Sequence, residues 1–574
     1  MPNDPSNIAA LIARFLKERG VERIFGLCGG HIQPIWDAAA RIGIPIIDVR
    51  DERAAVHMAQ AHSDLTGQTG VAMVTAGPGL TNAITGIANA HVARTPVLII
   101  SGVPPRPQES KGALQELPQA DIVRPITRYA RTVRSAQDVL PALAEAMAAA
   151  EGYTSDPGPA YIDFPTDLLR EATNSEHINE GHFQGEPPIE QAIDTAAIRR
   201  AADLLWSARR PVVISGRGAR GAGAEMSQIL EALGALYLDT SESRGVLPDD
   251  HPASVPAMRG AAMRDADLVL TIGRKLDFQL GYGSAAVFPN ARFVRLGQHD
   301  SEVRGNRPAD VELQGPVKAA LRAILADGQA RFPATDAEWV EKLKAENTER
   351  RERLRQTMRD AESGSDGLMH PLRLMGAIQD ALAPDAIVIA DGGDTLSFAR
   401  IGLSGEKYLD PGALGCLGVG VPFGIAASLA YPDRQVVVVS GDGSFGFNAI
   451  ELDTCMRHGA RPVFIVVNNS GWNIERYDQI VTYDGNIVGS ELPGSDYTRL
   501  AMAFGMHSER VADPAELPAA LQRAFEHAPA LLDVLVTRDA PSPDARSGLA
   551  WVPDTQPLST WDEAEKRLAG DQDG

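Results

Sequence analysis

Short apolar runs, glycine turns and amphipathic stretches alternate along most of the chain. Val436-Val437-Val438-Val439 and Val463-Phe464-Ile465-Val466-Val467 are the clearest apolar runs, and both predict buried parallel strands. A helix over 447–458 is predicted between them, with Phe447, Ile450, Leu452 and Met456 on its apolar face and Gly459 as its stop. The same alternation starts at the amino end. It predicts helices over 8–17, 54–66 and 81–93 and strands over 21–27, 44–49, 71–75 and 97–101. It resumes with strands from Pro211, over 268–272 and over 293–296, and again over 386–390 and 531–536. Polar 173–191 reads as a linker, and charge-dense 346–366 as an exposed helix between domains. The pattern predicts an α/β protein of three doubly wound parallel-sheet domains, 1–180, 192–345 and 368–538, followed by a tail over 539–574.

Composition narrows the class. With 574 residues the chain exceeds one core. A formal charge of -21 argues against a nucleic-acid partner, which needs a basic footprint. Cys28, Cys416 and Cys455 form no CxxC pair, which suits a reducing cytosol. The first residues have no basic signal-peptide region, so the expected location is cytoplasmic. Residues 412–431 carry no charge and are long enough to span a bilayer. Their glycines and proline, and their lead into the Val436 strand, predict a buried helix and no membrane partner.

Candidate chemistry sits at the ends of the two valine strands. Gly441-Asp442-Gly443 follows the first and Asn468-Asn469 ends the second. Ligands in such sheets bind beyond the carboxyl ends of the strands. One carboxylate, one amide oxygen and glycine-rich backbone suit a hard cation that keeps a water and takes two phosphate oxygens. That describes Mg²⁺ with a diphosphate. A lone Gly-Asp-Gly would equally suit an ordinary turn with a surface Asp; the second motif at this spacing argues against that. The pair resembles the signature of thiamine-diphosphate (ThDP) enzymes. The resemblance implies that Asp442, Asn469 and the backbone carbonyl of Gly471 hold the metal.

Further stretches resemble the decarboxylase and carboligase branch of that family, over nearly all of 5–538. They are Phe25 to His31, Arg50-Asp51-Glu52-Arg53 and Val74 to Gly79. The resemblance implies a pyrimidine-binding domain, a central domain and a diphosphate-binding domain, in that order. Glu52 matches the family's glutamate that shares a proton with the cofactor's pyrimidine, a role suited to a desolvated carboxyl. A helix-start Glu favoured by the macrodipole is the plainer alternative. Leu417, in Gly415-Cys416-Leu417-Gly418, matches the wedge under the bent cofactor, and the Gly415 carbonyl would receive its amino group. Gly393, Asp394, Thr395, Gly441, Gly443 and Ser444 are candidates to line the diphosphate. In the family the cofactor bridges two chains, which implies a homo-oligomer, a dimer at minimum and a tetramer as the expected assembly.

The substrate side is read from three places. His31 matches a proton-relaying histidine of benzaldehyde lyase, and Gln115 lies in Gly112 to Gln119, a run that resembles 2-hydroxyacyl-CoA lyases. The arginine that acetolactate synthases aim at substrate has no match in Lys275-Leu276-Asp277-Phe278-Gln279. Arg217, Gly218, Arg220, Arg274 and Lys275 lie in glycine turns of the central domain and are candidates for CoA or ADP phosphates. Solvated surface charge is their plainer reading. The tail from Arg546 is a candidate lid. The expected activity is cleavage of a 2-hydroxyacyl-CoA to formyl-CoA and an aldehyde or ketone. A CoA-free benzaldehyde lyase-like carboligase, an acetolactate synthase-like or oxalyl-CoA decarboxylase-like enzyme, and a regulatory chain without turnover stay open.

Overall fold

The structure, a computed structural model, describes residues 7–173, 179–184, 193–547 and Glu563. Three sheets are present. β1 (Ile24–Gly26), β2 (Ile46–Asp48), β3 (Gly70–Val74), β4 (Val97–Val103), β5 (Tyr129–Thr132) and β6 (Pro159–Pro165) lie in the order β2-β1-β3-β4-β6-β5. β7 (Pro211–Ser215), β8 (Leu236–Leu238), β9 (Leu268–Ile272), β10 (Arg292–Gly297) and β11 (Val311–Gln314) lie in the order β11-β10-β9-β7-β8. β12 (Ile387–Asp391), β13 (Lys407–Leu409), β14 (Val436–Gly441), β15 (Val463–Asn468), β16 (His507–Val511) and β17 (Ala530–Leu535) lie in the order β13-β12-β14-β15-β17-β16. Neighbouring strands are parallel throughout. The predicted doubly wound α/β class is therefore present three times.

The first and third sheets have one topology. In each, the chain direction across the sheet reverses between the first strand and the third, so a ligand crevice opens at the carboxyl ends there. The turns after β1 and β3 flank one crevice; the turns after β12 and β14 flank the other.

Contacts divide the chain into two compact units, 1–189 with 362–542 and 190–361 with 543–574. In the first unit the helix Glu52–Thr66 packs along the helix Gly420–Ala430. Both helices are rich in small buried residues, among them Ala54, Ala55 and Ala59 in the first and Ala426 and Ala427 in the second. Gly420–Ala430 is apolar all round and interior, so the membrane-like run is core. Among the described residues no helix is long and apolar enough to cross a membrane. The second unit has its own cores on the two faces of its sheet.

Several boundaries differ from the sequence reading. The helix expected over 447–458 starts at once after β14, as Asp442–Asn448, and continues through a turn, Ala449–Glu451, into Leu452–Arg457. Phe447 and Ile450 are 44% and 41% exposed, whereas Leu452 is buried. The weak helix propensity of Gly443 and Gly446 hid that start. The charged helix is Ala337–Asp360, and its first turns bury Trp339, Val340 and Leu343 rather than merely connecting domains. Within the expected linker, Phe183 is buried and packs on Phe15. The candidate lid from Arg546 lies outside the described residues beyond 547, Glu563 apart.

Candidate active site

The diphosphate-side crevice is built from the ends of β12, β14 and β15. Asp442 is the first residue of its helix and is buried. Burial pushes its pKa up to about 7, with the nearby amides of Gly443 and Gly471 opposing the shift. Its Oδ2 and the Oδ1 of Asn469 are both buried without a hydrogen-bond donor. Two unsatisfied acceptor oxygens at the positions expected for metal ligands fit a hard cation. Asn468 does a different job: its Nδ2 donates to Asp533 at 2.8 Å and to the Ser495 carbonyl at 3.1 Å, which fixes the turn. Gly443 is required locally, since a Cβ there would stand 2.7 Å from the Trp472 ring.

The surrounding candidates are in place with particular roles. Thr395 and Ser444 are buried beside Gly392 and Gly441, and Ser444 Oγ donates to the Gly441 carbonyl at 3.0 Å. Gly393 stands at the start of the helix Asp394–Gly402. The Asp394 carboxylate accepts from Asn473 Nδ2 and the Ser542 amide, both at 3.1 Å, so its side chain is engaged in holding the wall. Gly415 is in the left-handed region at φ 65°, and Leu417 is only partly buried, as a side chain reserved for a ligand would be. Sequence reading missed Asp391. Buried and pushed up to about 6 by desolvation, it accepts the amides of Gly418 at 3.1 Å and Gly420 at 2.8 Å. It thereby sets the turn that carries Leu417.

The first sheet gathers Glu52, His31 and Gln115 at its carboxyl end. Asp51 caps the helix by accepting the Arg53 amide at 2.9 Å, which leaves Glu52 at the first helical position, 5% exposed. Glu52 Oε2 accepts from Asn82 Nδ2 at 3.0 Å, and Gly79 leaves the space over Oε1. Burial lowers the pKa of His31, with the Gln115 side chain opposing the shift, and the buried Nδ1 of His31 has no hydrogen-bond partner among the described residues. Gln115 sits at φ 64° against Gly77. Gln119 is a second residue the sequence did not reveal. Its Oε1 accepts the Gly77 amide at 2.5 Å, and its Nε2 donates to the Tyr161 hydroxyl at 2.8 Å. Tyr161 in turn donates to Asp163 at 2.7 Å.

The central domain does not bear out a nucleotide site. Arg274 is fully buried and donates to Glu242 at 2.9 Å, Asp277 at 2.7 Å and Gln279 at 2.9 Å. Arg220 Nε donates to the Glu242 carbonyl at 3.0 Å, and the Arg217 amide faces the Glu242 carboxylate at 3.4 Å. The Gly218 amide donates to Gly273 at 3.0 Å, and a Cβ on Gly218 would stand 2.7 Å from a Glu302 carboxylate oxygen. Lys275, next to Arg274, is partly buried. These glycine turns pack on one another, with carboxylates among them, and Arg274 and Arg220 are engaged within the domain's own structure.

Comparison with known proteins agrees with this geometry. Residues 6–122 match the thiamine pyrophosphate enzyme N-terminal TPP binding domain, 198–324 the central domain and 391–534 the C-terminal TPP binding domain. The chain belongs to the thiamine pyrophosphate enzyme family. A Mycobacterium bovis protein named probable acetolactate synthase is 34% identical over 96% of this chain and 99% of its own. The 2-hydroxyacyl-CoA lyase 2 of Caenorhabditis elegans is 33% identical over 87% of this chain and 84% of its own. Human 2-hydroxyacyl-CoA lyase 1 is 30% identical over 93% and 95%.

Proposed function

We propose that the protein is a Mg²⁺- and ThDP-dependent carbon–carbon lyase that cleaves a 2-hydroxyacyl-CoA to formyl-CoA and an aldehyde or ketone, and catalyses the reverse one-carbon ligation. The observation that carries this reading is the packing at the carboxyl end of the first sheet, where Gly77 lies against Gln115, Gly79 against Glu52 Oε1 and Gly102 against His31. A free carboxylate on a substrate calls for a cation, preferably an arginine fork. A thioester with a neighbouring hydroxyl calls for neutral donors and an acceptor, which His31 and Gln115 supply. The relatives named 2-hydroxyacyl-CoA lyase support the same choice.

Asp442, Asn469 and the Gly471 carbonyl would hold the metal. Gly393, Asp394, Thr395, Gly441, Gly443 and Ser444 would line the diphosphate, with Gly415 and Leu417 set against the rest of the cofactor. When bound, ThDP supplies a carbanion and an electron sink for the breaking bond. Glu52, 5% exposed, would share a proton with the cofactor's pyrimidine in a pocket largely closed to water. His31 takes the proton of the substrate's 2-hydroxyl as the C1–C2 bond breaks, and Gln115 orients the imidazole. A homo-oligomer, at least a dimer, is part of this reading.

A second reading is favoured by Arg274 of the central domain, which is committed to Glu242 and Asp277. It is a CoA-free lyase for 2-hydroxyketones. Incubation with ThDP, Mg²⁺ and, in turn, 2-hydroxyisobutyryl-CoA, benzoin and pyruvate separates the readings. Formyl-CoA and acetone are expected from the first. Benzaldehyde alone would select the CoA-free lyase, and acetolactate alone would select a synthase.

A further inference from the structure

Residues 442–458 run from the proposed metal ligand to the stretch that carries Glu52, and one buried carboxylate makes the connection. Glu451 is fully buried in the turn Ala449–Glu451. Its Oε1 accepts the amide N–H groups of Arg50 and Asp51, each at 3.0 Å. Its Oε2 accepts the Thr454 hydroxyl at 2.6 Å. Arg50 and Asp51 are the two residues before Glu52. Their amides lie outside the helix Glu52–Thr66, so no intrahelical carbonyl serves them. Other contacts surround this clamp. Arg50 pairs with Asp453 at 3.2 Å, Arg457 with Asp48 at 2.5 Å, and Arg53 Nη2 donates to the Phe447 carbonyl at 2.9 Å. Each of these is partly exposed and contributes little alone. Glu451 is the buried member, and burying a carboxylate costs free energy unless it is well hydrogen-bonded. Packing alone would be served better by leucine.

We propose that Glu451 is a positioning residue for Glu52. It fixes the backbone at 50–51, and with it the start of the helix Glu52–Thr66, relative to the turn that opens at Asp442. The proposal rests on the reading of Glu52 given above. Asp442–Asn448, Ala449–Glu451 and Leu452–Arg457 follow one another without a loop, so the metal turn and the clamp form one continuous strut. Placement of Glu52 is thereby tied to the diphosphate turn of its own chain, which, with a cofactor bridging two chains, serves the neighbouring site.

The full-length chain with Glu451→Leu, Glu451→Gln and the control Asp453→Ala tests this. Amide hydrogen exchange over 46–56, measured without added cofactor, reads the clamp. ThDP affinity, kcat and exchange of the cofactor's C2 proton, measured with Mg²⁺, read its consequence. Glu451→Leu is expected to speed amide exchange at 50–52 while ThDP affinity stays within about threefold. Its kcat and C2-proton exchange should fall about 100-fold, the scale of a 1 Å misplacement. Glu451→Gln keeps one acceptor oxygen and should recover most of the loss. Asp453→Ala removes an exposed pair without touching the amides and should match the wild type. Faster amide exchange with unchanged kcat would make the clamp merely structural and overturn the proposal; unchanged amide exchange would overturn it too. If Glu451→Leu does not fold, Thr454→Val, which strips the Oε2 support, must move both readouts in the same direction. Glu52→Gln separates the two layers. Unchanged C2-proton exchange in that variant rejects the Glu52 reading, while the amide exchange of Glu451→Leu still decides the clamp.

Discussion

Asp442 Oδ2 and Asn469 Oδ1 are buried acceptors without donors, a state that costs about 1–3 kcal/mol per group and that a cation relieves. Asp442→Ala is therefore expected to abolish ThDP retention through gel filtration with Mg²⁺, and Asn469→Ala to weaken it about tenfold. Full retention in Asp442→Ala would reject the site. Both residues were legible because their signal is local: a Gly-Asp-Gly turn and an Asn pair, each closing an apolar strand. Asp391 and Gln119 were not legible, since their partners lie 27 and 42 residues away and only the folded sheets bring them together. Asp163, at the far end of the Gln119 network, carries a pH signature. Burial pushes its pKa up to about 6, against the pull of Tyr161, Thr132, Gln119 and Arg134. The folded state thus holds this proton more tightly than the unfolded chain does. The resulting stability is present below pH ~4 and lost as pH rises through ~6, a swing of roughly 3 kcal/mol. Asp163→Asn cannot ionise and keeps an acceptor for Tyr161. In thermal melts its Tm relative to wild type should climb between pH ~4 and ~7 and then level off. A pH-independent offset would remove Asp163 from the titration.

Most strands buried on both faces were legible, β6 among the exceptions. β3, β4, β9, β14 and β15 read as continuous apolar runs, and the structure places each within a residue or two of the expected span. β5, β6, β8, β11, β13 and β16 were missed. All but β6 lie at the edge of their sheet and pair on one side only, and β5 and β16 keep Arg131 or Glu509 and Arg510 within them, so neither of these two shows an apolar run. The turns divide into those that hold the fold and those that shape the site, and two glycines distinguish them. Gly273 has φ 60°, and a Cβ there would stand 2.6 Å from the Ala219 amide nitrogen, in backbone that cannot swing aside. Gly273→Ala is expected to destabilise the central unit by about 2–3 kcal/mol while leaving ThDP affinity unchanged. The nearest atoms to a Cβ on Gly443 belong to the Trp472 side chain. Gly443→Ala should cost less stability but weaken ThDP retention, because the displaced indole and the methyl both intrude at the diphosphate turn. Urea unfolding and ThDP titration of the two variants provide the check. Equal loss of stability with equal loss of cofactor would erase the distinction.

At the scale of the molecule, three sheets were legible from strand and helix spacing, but their grouping was not. Residues 1–189 and 362–542 form one compact unit although 172 residues lie between them in sequence. What joins them is the packing of Glu52–Thr66 along Gly420–Ala430 and the Glu451 clamp, contacts that no local pattern announces. Every residue assigned to the cofactor, from Glu52 to Asp442, Asn469 and Gly471, belongs to this unit, and in the central domain Arg274 is committed to Glu242, Asp277 and Gln279. Ligand binding stabilises only the structure that forms the site, by about 2.7 kcal/mol at a hundredfold excess over Kd. In differential scanning calorimetry, ThDP with Mg²⁺ is therefore expected to raise the transition of the cofactor-bearing unit and leave that of the central unit in place. Asp442→Ala should abolish the rise. Gly273→Ala should lower the transition that ThDP does not move. ADP or CoA alone should move neither, because Arg274 is already committed to Glu242, Asp277 and Gln279. One transition rising as a whole would mean that the two units unfold together, and a rise of the central transition with ADP would restore a nucleotide site to that domain.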